Sequence, residues 1–242
     1  MGLTLHYTLR LPARLEPGEV EALVRRVHRR AAALVRRRGL VDISPVEAAD
    51  PDNPIHGQFV LEKVSADETR GHDVTPECGW MFSVHPGAGC ESAAFGLCFF
   101  PATIRVGRRR LRTSCGGWSW TGFAKTQYAS LRGSDHFLKC HRAVVDLALL
   151  WEQAGAVVSI KDEGGYWPGR NEARLLAEVG SMNQLVAAFG GALKDAADEG
   201  GPAVTSSIFA HGQFELLEAQ GLNQHAAQIA AAVRAVKRTA EG

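Results

Sequence analysis

Leu3, Leu5, Tyr7, Leu9 and Leu11 alternate with Thr4, His6, Thr8 and Arg10 along the first stretch of the chain. A period of two marks a strand with one buried face, because successive side chains of extended backbone point to opposite sides. After the Pro17-Gly18 break the period changes. Val20, Leu23, Val24, Val27, Ala31, Leu34 and Val35 recur at three and four, the stripe of an amphipathic helix that ends near Gly39. That helix is expected to cover the sheet to which the first strand belongs.

Residues 41–77 are rich in Pro, Asp, Asn and Gly and read as loop, with one strand at 58–64. Short strands follow at 80–84, 93–101, 103–106 and 110–114, divided by turns at Pro86-Gly87-Ala88-Gly89 and Gly107-Arg108, which predicts an antiparallel meander. Residues 114–130 concentrate glycine, tryptophan and small hydroxyl side chains, and predict a strand, a glycine turn and a second extended piece. Ser134 reads as the N-cap of a helix whose Phe137, His141, Val144, Ala148 and Trp151 stripe runs up to Gly155. The β-branched run 156–161 predicts an inner strand, and helices are predicted over 171–197, 213–219 and 223–237. No repeat of 20 to 50 residues interrupts this order.

The elements imply an α+β fold: a mixed, largely antiparallel central sheet covered by helices, with a helical C-terminal layer. The 242 residues are within reach of one core, so a single domain over 1–242 is expected, its first 130 residues a β meander with one amphipathic helix and its remainder mostly helical with one inner strand.

Composition changes this picture only at its edges. Apolar residues at 45% and charged residues at 22% exclude a disordered chain. Arg25, Arg26, Arg29, Arg30, Arg36, Arg37 and Arg38 crowd the polar side of the first helix, and 105–112 is also basic, a pattern that would suit phosphate. The whole chain carries a formal charge of only +1, so the arginines read as a solvated face and nucleic acid is disfavoured as a partner. Cys78, Cys90, Cys98, Cys115 and Cys140 form an odd set without a CxxC pair, which points to a reduced, cytoplasmic setting. The first residues carry neither a leader pattern nor a myristoylation motif, and no run is apolar enough to span a bilayer, so no membrane association is expected. A homo-oligomer is left open.

Motif chemistry is sparse. Neither Cys78, His85 and Cys90 nor Asp67, Glu68, His72 and Asp73 has a metal-ligand interval, so no metal is assigned. Pro86-Gly87-Ala88-Gly89 is no nucleotide fingerprint, Ser119 and Ser130 lack a nucleophile elbow, and the cofactor is unknown. What remains is the pair of glycine-rich segments at 114–130 and 161–170, each at the end of a predicted strand, where backbone can approach a ligand closely. An amine beside carboxylates can orient an anion or shift a proton-transfer group. Lys125, Asp162 and Glu163 are therefore the catalytic candidates, with His141 as a proton carrier, and Trp118, Trp120, Gln127, Tyr128, Tyr166, Trp167 and Arg170 are the substrate-binding candidates. The function expected is a small-molecule enzyme, a hydrolase or transferase. The rival is a non-catalytic ligand- or protein-binding domain that uses the same aromatic groove. A competing structural reading makes Trp118 and Trp120 core anchors and has Asp162 cap a turn or pair with Arg170. The enzyme reading requires the two segments to meet in space.

Overall fold

The computed structural model describes residues 3–12, 15–198 and 204–240. The reading of Met1 and Gly2 lies outside that range. Strand β1 (Thr4–Arg10) forms where the period-two pattern predicts, and α1 (Pro17–Arg38) follows. Pro17 suits the first helical turn, which has no use for its missing N–H, and the Glu16 and Glu19 carboxylates close a reciprocal capping box. Gly39, in the left-handed region at φ 59°, ends the helix by donating its N–H to the carbonyls of Val35 and Arg36. The predicted stripe from Val20 to Val35 is buried.

The short strands β2 (Asp42–Ile43) and β3 (Glu47–Ala48) precede the hairpin of β4 (Gln58–Lys63) and β5 (Thr69–Val74). Then come β6 (Cys78–His85), β7 (Ala93–Phe100), a separate hairpin of β8 (Thr103–Val106) and β9 (Arg109–Arg112), and β10 (Gly117–Lys125). Helix α2 (Ser134–Glu152) leads to β11 (Val157–Asp162), and α3 (Glu172–Asp198) and α4 (Phe214–Ala240) pack on each other as the C-terminal layer. The main sheet runs β11-β1-β10-β7-β6-β2, with β3 also on β6, and its pairings are antiparallel.

Helices α1 and α2 cover one face of that sheet. Tyr7 stacks on Phe95, Phe82 meets Phe95 and Trp151, and His28 of α1 sets its edge on Phe82. One continuous apolar cluster runs from Leu3, just before β1, to Val179 on α3. No helix among the described residues is long and apolar enough to cross a membrane.

Four local expectations are corrected. Residues 114–130 hold one strand, β10, followed by a 3-10 helix at Gln127–Arg132, not two extended pieces. Gly133, at φ 100°, occupies the N-cap of α2, and Ser134 is already helical. β11 is an edge strand, since β1 is its one neighbour in the sheet. Its β-branched run packs one side on α2 while Val157 stays 60% exposed. The last two predicted helices form one, α4, which bends at His225, where φ is −129°.

Candidate functional site

β10 and β11 both pair with β1, so the two glycine-rich segments flank the same strand at the same end of the sheet. The register opposes Thr4 to Lys125 and Leu5 to both Ala124 and Asp162. Antiparallel partners share a face and neighbours alternate, so Leu5, Ala124 and Asp162 face the helices while Lys125 faces the other way. The segments meet, but Lys125 and Asp162 project from opposite faces.

On the helix face, His141 of α2 descends between the segments, as its place in the Phe137, Val144, Ala148 stripe requires. Its side chain is fully buried. Nδ1 lies 2.8 Å from the Thr126 hydroxyl, at the end of the first segment. Nε2 lies 3.2 Å from Asp162 Oδ1, at the start of the second, a close contact off the line of a good hydrogen bond. Asp162 in turn accepts from the backbone N–H of Gly164 at 2.7 Å and of Trp167 at 2.9 Å, and so caps the turn that follows β11. Burial alone would raise the Asp162 pKa. The imidazole contact, its charge and the two amide donors outweigh that and leave the carboxyl below its ordinary value. Tyr166 closes the pocket with its edge toward His141, ring centroids 5.9 Å apart.

Gln127 is buried too. Its Oε1 accepts from Leu3 N–H at 3.2 Å and its Nε2 donates to Asn183 Oδ1 at 3.3 Å, which ties α3 to the sheet. Trp118 and Trp120 are buried, and their indoles donate to the carbonyls of Leu15 and Ala94. Tyr128 is half-buried, with its backbone against Gly89, where a Cβ would come within 2.4 Å. Trp167 lies under the Arg170 guanidinium, 5.9 Å away, and Arg170 pairs with Asp146, not Asp162.

The opposite face is open. Lys125 Nζ stands 3.4 Å from Glu91, while Glu163 bonds Thr4 N–H at 3.0 Å and lies 3.6 Å from His6. Phe123 is 55% exposed among these groups. Here the sheet parts. The β7–β10 ladder covers three residue pairs, from Gly117↔Phe100 to Ser119↔Cys98, and then ends. It is closed again at the far side, where Glu91 N–H donates to the Lys125 carbonyl at 2.9 Å and Lys125 N–H donates to the Glu91 carboxylate at 3.3 Å. Between these clamps the Ala94 carbonyl takes two side-chain donors, Tyr7 Oη and Trp120 Nε1, each at 2.8 Å. Burial pushes the Tyr7 phenol well above its usual pKa, so it remains a donor.

The opening holds a cleft of about 480 Å³ walled by Ile55, Gln58, Glu91, Ala94, Thr121 and Phe123. Gln58 Nε2 reaches the Thr121 carbonyl at 3.1 Å from the β4 side. Ile55, Gln58 and Glu91 carry no local motif. They come to the cleft only through the pairing of distant segments: Ile55 lies in a stretch read as loop, and Gln58 opens the strand expected at 58–64. No group of three or more His, Cys, Asp or Glu side chains suited to a metal occurs among the described residues.

No family model, curated protein or solved structure matches the chain.

Proposed function

We propose that the protein is a ligand-binding domain whose ligand seats in the cleft between β7 and β10. The observation that carries this reading is the interrupted ladder: two strands paired at Ser119 and clamped again at Glu91, with a cavity of about 480 Å³ held between them. Binding pockets are typically concavities of this size, apolar with a few convergent polar groups. Ile55 and Phe123 supply exposed apolar surface, 73% and 55% accessible, and Glu91 and Gln58 supply the polar points. The ligand class is a small molecule with a ring-sized apolar body and a neutral or zwitterionic polar end.

What supports binding over turnover is the position of the proton-transfer groups. His141 and Asp162 are sealed beneath the helix face, whereas the cleft opens on the other. Its ionisable wall is Glu91, already paired with Lys125.

N-phenyl-1-naphthylamine, an uncharged apolar fluorophore, tests the reading. One site is expected, with enhanced probe emission. Phe123→Ala removes a wall and Ala94→Leu fills the floor. Each is expected to weaken the probe about tenfold, the equivalent of about 1.4 kcal/mol, with little change in melting temperature. Unchanged affinity in both variants would sink the proposal.

A further inference from the structure

Arg170 is the one non-glycine residue with positive φ among the described residues, at 51°. Such backbone costs on the order of 1 kcal/mol and persists where the surroundings hold it, often at a ligand site. Its guanidinium lies 3.0 Å from Asp146 Oδ1 on α2 and 3.3 Å from Tyr166 Oη. Arg38, from the last turn of α1, takes the other Asp146 oxygen. Arg30 donates to the Gln153 amide oxygen. The Arg37 side chain makes no hydrogen bond or ion pair among the described residues. These side chains line a groove of about 420 Å³ between α1 and α2, floored by Leu34 and Leu149.

Four arginines thus line a groove that holds one carboxylate, Asp146, and two of them, Arg38 and Arg170, are paired with it. The C-terminal end of a helix favours cations and accounts for Arg37 and Arg38. It does not account for Arg30, two turns back, or for Arg170, which arrives from a different segment. Repulsion among clustered cations is unfavourable unless an anion answers it, and Asp146 answers one charge. Guanidinium forks suit phosphate and carboxylate oxygens in pairs.

We infer that this groove binds a small polyanion, a molecule bearing two or more phosphate or carboxylate groups. Asp146 holds the arginines in place when the groove is empty, and the ligand displaces it from the more exposed Arg170. A small ligand fits better than a nucleic acid because the second basic segment does not extend the groove. Arg109 of β9 is tied to Glu62 of β4 at 3.1 Å. That hairpin reaches the cleft beside Phe123 through Gln58, whereas α1 covers the other face of the sheet.

Calorimetric titration of the full chain with inorganic pyrophosphate at low ionic strength tests this. One site with micromolar affinity is expected. Arg37→Ala should weaken it about tenfold, in keeping with a lost charge-assisted bond, and should leave the fold intact because Arg37 has no partner to strand. Asp146→Asn should strengthen binding severalfold by removing the resident anion. Arg132→Ala, on an exposed arginine elsewhere, should change it less than twofold. The inference is overturned by an absence of binding at millimolar pyrophosphate, by equal losses from Arg37→Ala and Arg132→Ala, or by weaker binding in Asp146→Asn. It is overturned equally if a single-stranded RNA 20-mer binds and pyrophosphate does not displace it. The groove shares no residue with the β7–β10 cleft, so either site can fail without the other.

Discussion

The two faces of the sheet use the same pair of segments in opposite ways. On the helix face, Thr126 and Asp162 close on His141 and exclude solvent; on the other, Lys125 and Glu163 take separate partners, Glu91 and His6, and leave Phe123 exposed. One step along a strand separates a sealed polar cluster from an open rim. Titratable residue types close in sequence therefore do not define a site: strand alternation divides them, and what each meets decides whether it stabilises or binds.

The sharpest way to break this comparison is to remove one side of the sealed cluster. Asp162→Ala strips His141 of its carboxylate neighbour and leaves two part-buried backbone N–H groups without their acceptor, and is expected to cost about 3 kcal/mol of unfolding free energy in urea titration. A double replacement, His141→Leu with Asp162→Ala, should recover part of that loss. Acid sharpens the same point. The folded pKa of Asp162 lies below its unfolded value, so its contribution is complete above the unfolded pKa of about 3.9 and is lost as pH falls through the lower folded value. The gap between the natural protein and Asp162→Asn should be full at neutral pH and shrink below about pH 4. A cost for Asp162→Ala no larger than that of a surface substitution would show that the cluster is not structural.

Intermediate in size is Tyr7→Phe, which probes the line between the faces. The Ala94 carbonyl would lose one of its two donors and keep Trp120. The expected cost is about 1 kcal/mol, because the acceptor stays satisfied. A loss of apolar-probe binding in this variant, without a comparable loss of stability, would show that the hydroxyl holds the cleft open.

The periodic elements were legible because each buries a face against something large. The alternation of Leu3 to Leu11 and the stripes of α1 and α2 follow from one buried side, and so does the aim of His141. Strand β5, Thr-Arg-Gly-His-Asp-Val, was not legible, since it is largely exposed and its pairing with β4 selects no alternation. The β-branched run of β11 records its contact with α2, whereas its edge position depends on β1 having β10 on its other side, which no local pattern carries. Gly221 looks like a break between two helices, yet it lies inside α4 where a Cβ would come within 2.1 Å of the Gln184 carbonyl, so it marks a close helix crossing. Asp162 as a turn cap could be read from Asp162-Glu163-Gly164-Gly165. The Glu91 partner of Lys125 could not, because the clamp exists only once β7 and β10 lie side by side.

The smallest expected effect concerns that clamp. Lys125 and Glu91 are each nearly half exposed, 46% and 45%, so their ion pair is screened and pairs of this kind contribute about 0–1 kcal/mol. Glu91, however, also bonds the Lys125 backbone N–H, and its own N–H holds the Lys125 carbonyl. Lys125→Ala keeps both backbone bonds and should leave melting temperature and apolar-probe affinity nearly unchanged. Glu91→Ala removes the carboxylate acceptor at the mouth of the cleft and should weaken the probe more than Lys125→Ala does. If Lys125→Ala instead gave the larger loss, the amine itself would be the ligand contact, and the open rim would have to be redrawn around charge, not around Phe123.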